Sequence, residues 1–85
     1  MPRTPHITKA EPHDNHTLVL TFSNGELRVF DLTPYLDAPV FRPLRDPTLF
    51  KEVQVVHGSL EWPGERDLAY DMLYAASEPV TAEID

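Results

Sequence analysis

Residues 17–30 read TLVLTFSNGELRVF, and this stretch decides the fold. Leu18, Leu20 and Phe22 alternate with smaller or polar residues, which is the period of a strand with one face buried. Val19 adds an apolar residue on the opposite face, so cover on both sides is expected. Asn24-Gly25 then predicts a tight hairpin, because a type I′ turn needs positive φ at both central residues. The return strand is predicted over 27–30, with Leu27 and Val29 on one face.

Working outward, Ile7 to Pro12 reads as an edge strand that Pro12 ends. His13-Asp14-Asn15-His16 reads as a turn. Downstream, Asp31 or Thr33 caps a single helical turn with Pro34 in its first position, where no amide hydrogen is needed. Pro39 and Pro43 bracket Val40-Phe41-Arg42, predicted to be extended. Asp46-Pro47 repeats the capping logic and seats Leu49 and Phe50 in the core. A strand is predicted over 52–57, a turn at Gly58-Ser59, and a partner strand over 59–62 that Pro63-Gly64 stops. Leu68, Met72, Leu73 and Ala76 recur at helical spacing, with Asp67 as the expected N-cap. Strands precede helices rather than alternating with them. The predicted fold is therefore α+β: a small antiparallel sheet of four to five short strands in two hairpins, short capped turns and one C-terminal helix. Residues 1–6 are expected to be a flexible leader, 7–76 a single domain and 77–85 an acidic frayed tail.

The totals narrow the function. The chain has 85 residues, so it is one small domain with a thin core, a class in which oligomerisation is common. It has no cysteine, which excludes disulfides, a thiol nucleophile and thiolate zinc sites. No long apolar run or signal-like segment is present, and a cytoplasmic location is expected. The net charge is −7, and residues 1–51 carry six acids and six bases, so the imbalance lies in residues 52–85, with eight acids and the single base Arg66. A phosphate backbone requires clustered Lys and Arg, so direct nucleic-acid binding is not expected. An acidic surface suits solubility or a small basic protein partner.

Catalytic constellations are absent from the sequence: there is no glycine-rich phosphate loop and no Gly-x-Ser-x-Gly elbow. No catalytic or cofactor-binding residue is assigned, and no cofactor is expected. His13 and His16, with Asp14 between them, are the weak candidates for a metal, set against the ordinary chemistry of a turn. His57 ends a strand and reads as structural or exposed. The partner-binding candidates are Trp62, Glu61, Asp67, Asp71 and Tyr74. Trp62 is of a type enriched at hot spots, although core burial is the commoner fate of a tryptophan.

Phe22-Ser23-Asn24-Gly25-Glu26, Phe30-Asp31-Leu32, Phe41-x-Pro43-Leu44-x-Asp46, Phe50, Glu61-Trp62-Pro63, Asp67-Leu68 and Asp71-x-Leu73-Tyr74 together resemble a widespread bacterial family of short proteins, domain-of-unknown-function family 2442. The likeness covers about residues 5–75. Relatives often carry cysteine and proline where this chain has Ala69 and Tyr70, so a proline-started final helix is not expected here. The resemblance implies a domain like the N-terminal half of a two-domain bacterial helix-turn-helix protein. It also implies a gene neighbour encoding another short protein, in a toxin–antitoxin-like pairing, and it carries no catalytic residues. The leading expectation is a non-catalytic interaction module, the antidote or adaptor of a toxin-like partner. The alternatives are a DNA-associated regulator acting through a partner or homodimer, and a small metal-binding or enzymatic domain using His13 and His16. Homodimerisation through a sheet edge or the final helix is a separate expectation.

Overall fold

The expected hairpin forms the centre of a four-stranded antiparallel sheet in the computed structural model, which describes residues 3–80. Strands β1 (Ile7–His13), β2 (Thr17–Phe22) and β3 (Leu27–Asp31) follow one another, and β7 (Glu78–Pro79) lies on the far side of β3. A second antiparallel sheet holds β4 (Gln54–Val56), β5 (Ser59–Trp62) and β6 (Arg66–Leu68). Between the sheets in sequence come two short 3₁₀ turns, Thr33–Tyr35 and Arg42–Arg45, and a four-residue helix α1 (Pro47–Phe50). Helix α2 (Tyr70–Ala76) precedes β7. The α+β class and the antiparallel pairing are as the sequence predicts, and the described strands number seven.

The alternation along β2 is complete: Leu18, Leu20 and Phe22 are buried, and the residues between them are half-buried. These three join Ile7 and Phe30 from the same sheet, and Leu60, Trp62 and Leu68 from the other, in one hydrophobic core. Leu32, Leu36, Leu44 and Phe50 fill it from the connecting turns, and Leu73 enters from α2. Full burial of such a side chain contributes about 1.5–3 kcal/mol each, which offsets the ordering cost of a short chain.

Capping follows the prediction at Pro47 but not at Pro34. The Asp46 carboxylate caps α1 by accepting the Thr48 N–H at 3.0 Å. At the Thr33–Tyr35 turn the expected cap is not formed: Leu32 holds the N-cap position, and Asp31, one residue further out, accepts the Thr33 N–H at 2.9 Å. Three local expectations need correction. The Asn24-Gly25 turn is not type I′, since only Gly25 has positive φ (89°). Phe22 donates its N–H to Glu26 and accepts that of Gly25, which makes a three-residue loop with glycine at the left-handed position. Asn24 instead uses its side chain, accepting the Glu26 N–H at 3.1 Å. The two-residue turn with both centres at positive φ sits at His57 (51°) and Gly58 (80°), between Val56 and Ser59. Val40-Phe41-Arg42 is not extended but enters the second 3₁₀ turn, because Pro43 falls in that turn's opening residues, where a fixed φ is tolerated.

The C-terminal third departs further. Pro63-Gly64 does not merely end a strand. With Gly64 at φ 89° it turns the chain back, and Arg66–Leu68 pairs with β5. Asp67 is therefore a strand residue, not an N-cap, and the helix starts at Tyr70 after Ala69. The tail does not fray at 77–80: Glu78 pairs with Val29, Pro79 with Arg28, and the Val80 N–H reaches the Leu27 carbonyl at 2.9 Å. Residues 81–85 of the expected tail, and 1–2 of the expected leader, lie outside the described residues. His6, also placed in that leader, is tied to Ser23 by two hydrogen bonds.

Candidate partner-binding face

The histidine candidates separate. His13 is exposed and lies 3.5 Å from Glu11. The His16 ring is half-buried, 5.0 Å from the Phe50 ring, and its Nε2 is 2.8 Å from the Leu44 carbonyl. A carbonyl only accepts, so Nε2 carries a proton and is committed to that bond. Among the described residues no three His, Asp or Glu side chains gather as a metal would require. His57 is exposed and occupies its turn.

Two of the partner-binding candidates are spent inside the molecule. Trp62 is buried, 3% exposed, and its indole N–H donates to the Phe50 carbonyl at 2.9 Å. Its ring stacks on Phe50 and meets Phe41 edge-on. It is a core residue, not a surface anchor. Tyr74 is half-buried, edge-on to Phe22 at 5.1 Å, with its hydroxyl donating to Glu26 and the Arg28 guanidinium 4.4 Å above its ring. Asp71 is exposed and accepts the N–H of Met72 at the start of α2.

The other two are brought together. Glu61 and Asp67 stand directly opposite on β5 and β6, with Gln54 beside Glu61 on β4, and all three are exposed. Because Leu60, Trp62 and Leu68 turn inward, the pleat forces Glu61 and Asp67 outward on one face. Glu52 and Glu65 are exposed on the segments flanking it. Neither Glu61 nor Asp67 is in an ion pair among the described residues. The ion pairs among the described residues, Arg28–Glu26, Arg45–Asp37 and His13–Glu11, all lie within residues 11–45. Arg66, the sole cation of residues 52–85, turns its guanidinium to the Val40 and Pro63 carbonyls. Composition shows the acid excess, but the opposition of two carboxylates depends on β6, which sequence periodicity hides inside a helical pattern.

The model of a family described as a protein of unknown function (DUF2442) matches residues 7–79. The chain belongs to this family. The match reaches from the first residue of β1 to the last of β7, so the DUF2442 domain is the whole two-sheet unit, β7 included. No curated protein and no solved structure matches the chain significantly. Among the described residues no helix is long and apolar enough to cross a membrane.

Directly opposed like charges destabilise a strand pair. Asp67→Lys is therefore expected to raise stability by about 0.5 kcal/mol, by turning a repelling pair into an attracting one. Urea unfolding of this variant beside the unmodified chain measures the change. A lower midpoint would show that the pair is not strained.

Proposed function

We propose that this DUF2442 chain is a non-catalytic interaction module that binds a small basic protein, as the antidote or adaptor of a toxin-like partner. The observation that carries the reading is the Glu61–Asp67 opposition, with neither carboxylate in an ion pair among the described residues. A fold gains nothing from holding two carboxylates face to face. A Lys or Arg from a partner would relieve the repulsion and add charge-assisted hydrogen bonds. The paired shallow clefts on either side of Glu61, one running from Lys51 to Pro63 and the other from Glu61 to Asp67, give room for long cationic side chains.

The test is co-expression with the product of the neighbouring gene, followed by size exclusion at low and high salt. A stoichiometric complex that weakens with salt is expected. The double variant Glu61→Lys with Asp67→Lys should weaken it by about tenfold or more while the chain stays folded, since rim charges act mainly on association. A complex indifferent to both salt and charge reversal would place the binding surface elsewhere. No complex at any salt would remove the antidote reading.

A further inference from the structure

The first sheet has two edges, and they are closed in different ways. At β1 the Ile7 N–H donates to the Gly58 carbonyl at 2.9 Å, so the turn between β4 and β5 covers the start of that edge. At β3 the cover is only β7, two residues long and exposed.

The hydrogen-bond phase of β3 shows what β7 covers. The Val80 N–H bonds to the Leu27 carbonyl, and the register pairs Val29 with Glu78. Antiparallel ladders alternate, so Leu27, Val29 and Asp31 direct their N–H and C=O groups away from β2. Pro79 falls opposite Arg28, at a position whose backbone faces outward. The missing N–H of proline thus lies on the open side of β7, where it denies a donor to any further strand. A short strand with an outward proline is an edge that resists pairing.

One side chain holds this cover down. Arg28 donates from Nε to the Ser77 Oγ at 2.8 Å and from a terminal nitrogen to the Ser77 carbonyl at 2.7 Å. Its other terminal nitrogen reaches Glu26 at 3.2 Å. Ser77 is buried although polar, and its hydroxyl donates on to the Tyr74 carbonyl.

We propose that residues 77–80 are a releasable strap, pinned by Arg28, and that its release lets β3 pair with β3 of a second copy. A two-fold centred on Val29 sets Leu27 against Asp31 of the other copy. All three residues belong to the outward-bonding set, so the new ladder is self-complementary and the two sheets become one.

The experiment is sedimentation equilibrium on the full chain across a concentration series. Arg28→Gln is expected to strengthen self-association by about tenfold or more, because it loosens the strap and leaves the β3 backbone intact. Adding Leu27→Cys and Val80→Cys, which the register sets opposite each other and off the two-fold, should lock the strap and reverse the effect when oxidised. Unchanged association in Arg28→Gln, or a lock that fails to reverse it, overturns the proposal. Native-state hydrogen exchange on the unmodified chain decides the matter if Arg28→Gln does not fold. The Val80 amide should then exchange about 100-fold faster than the Leu32 amide, which bonds to His16 across the inner side of the sheet. Equal protection of the two also overturns it.

Discussion

Trp62→Ala is expected to destabilise the fold by about 4 kcal/mol, at the upper end for truncation of a buried aromatic residue. Three contacts are lost together: the stack on Phe50, the edge contact with Phe41 and the indole bond to the Phe50 carbonyl. That bond matters beyond its own strength, since the carbonyl it satisfies closes α1, and an unmet buried acceptor costs about 1–3 kcal/mol. A domain of this size has a total stability on the order of 5–10 kcal/mol, so the variant will be close to unfolded at room temperature. Thermal and urea unfolding followed by circular dichroism measure the loss. Trp62→Phe separates the parts: it keeps an aromatic ring and removes the donor, and should cost about 1–3 kcal/mol. If Trp62→Ala loses less than Trp62→Phe, the packing account is wrong.

Gly58→Ala comes next, with an expected loss of about 2–4 kcal/mol from two independent causes. The backbone there has φ 80°, which an L-residue adopts at a cost, and an added Cβ would stand 2.7 Å from the Cβ of His6. The causes can be told apart by a double-variant cycle. His6→Gly in the Gly58→Ala background removes the collision and leaves the backbone term, so it should restore roughly half of the loss. No restoration would assign the whole effect to φ. The site joins the two sheets, because the Gly58 carbonyl accepts the Ile7 N–H. The loss should therefore be accompanied by faster exchange at Ile7.

The parts of this fold that could be read from the sequence are those where one local rule acts alone. The β2 alternation, the Asp46 cap before Pro47 and the existence of the 17–30 hairpin all follow from short-range chemistry. The turn types were exchanged. Asn24-Gly25 has the composition of a two-residue turn, yet Phe22 and Glu26 set a loop one residue longer. His57-Gly58 lacks the usual asparagine and takes the two-residue geometry. Arg66–Leu68 was hidden because Leu68 satisfies both a helical and an extended pattern, and only pairing with β5 decides between them. β7 was illegible for a similar reason: nothing in Glu78-Pro79 itself suggests a strand, and its place depends on Arg28, about fifty positions earlier. For the candidate face, composition located the acid excess but not which carboxylates meet. Trp62 stood among the partner-binding candidates although core burial is a tryptophan's commoner fate, and the Phe50 carbonyl and the rings around it do hold it inside.

The order of the pairings bears on how the chain is made. β1 to β3 and β4 to β6 each pair with their sequence neighbours, so both meanders can close as soon as their residues emerge during synthesis. The one pairing between distant segments among the described residues, β3 with β7, must wait until residues 78–79 have emerged. From the emergence of β3 until that of β7 the β3 edge is therefore open while the rest of its sheet can already form. On a crowded polysome that interval, rather than the finished molecule, is when neighbouring nascent chains have the best opportunity to join edge to edge.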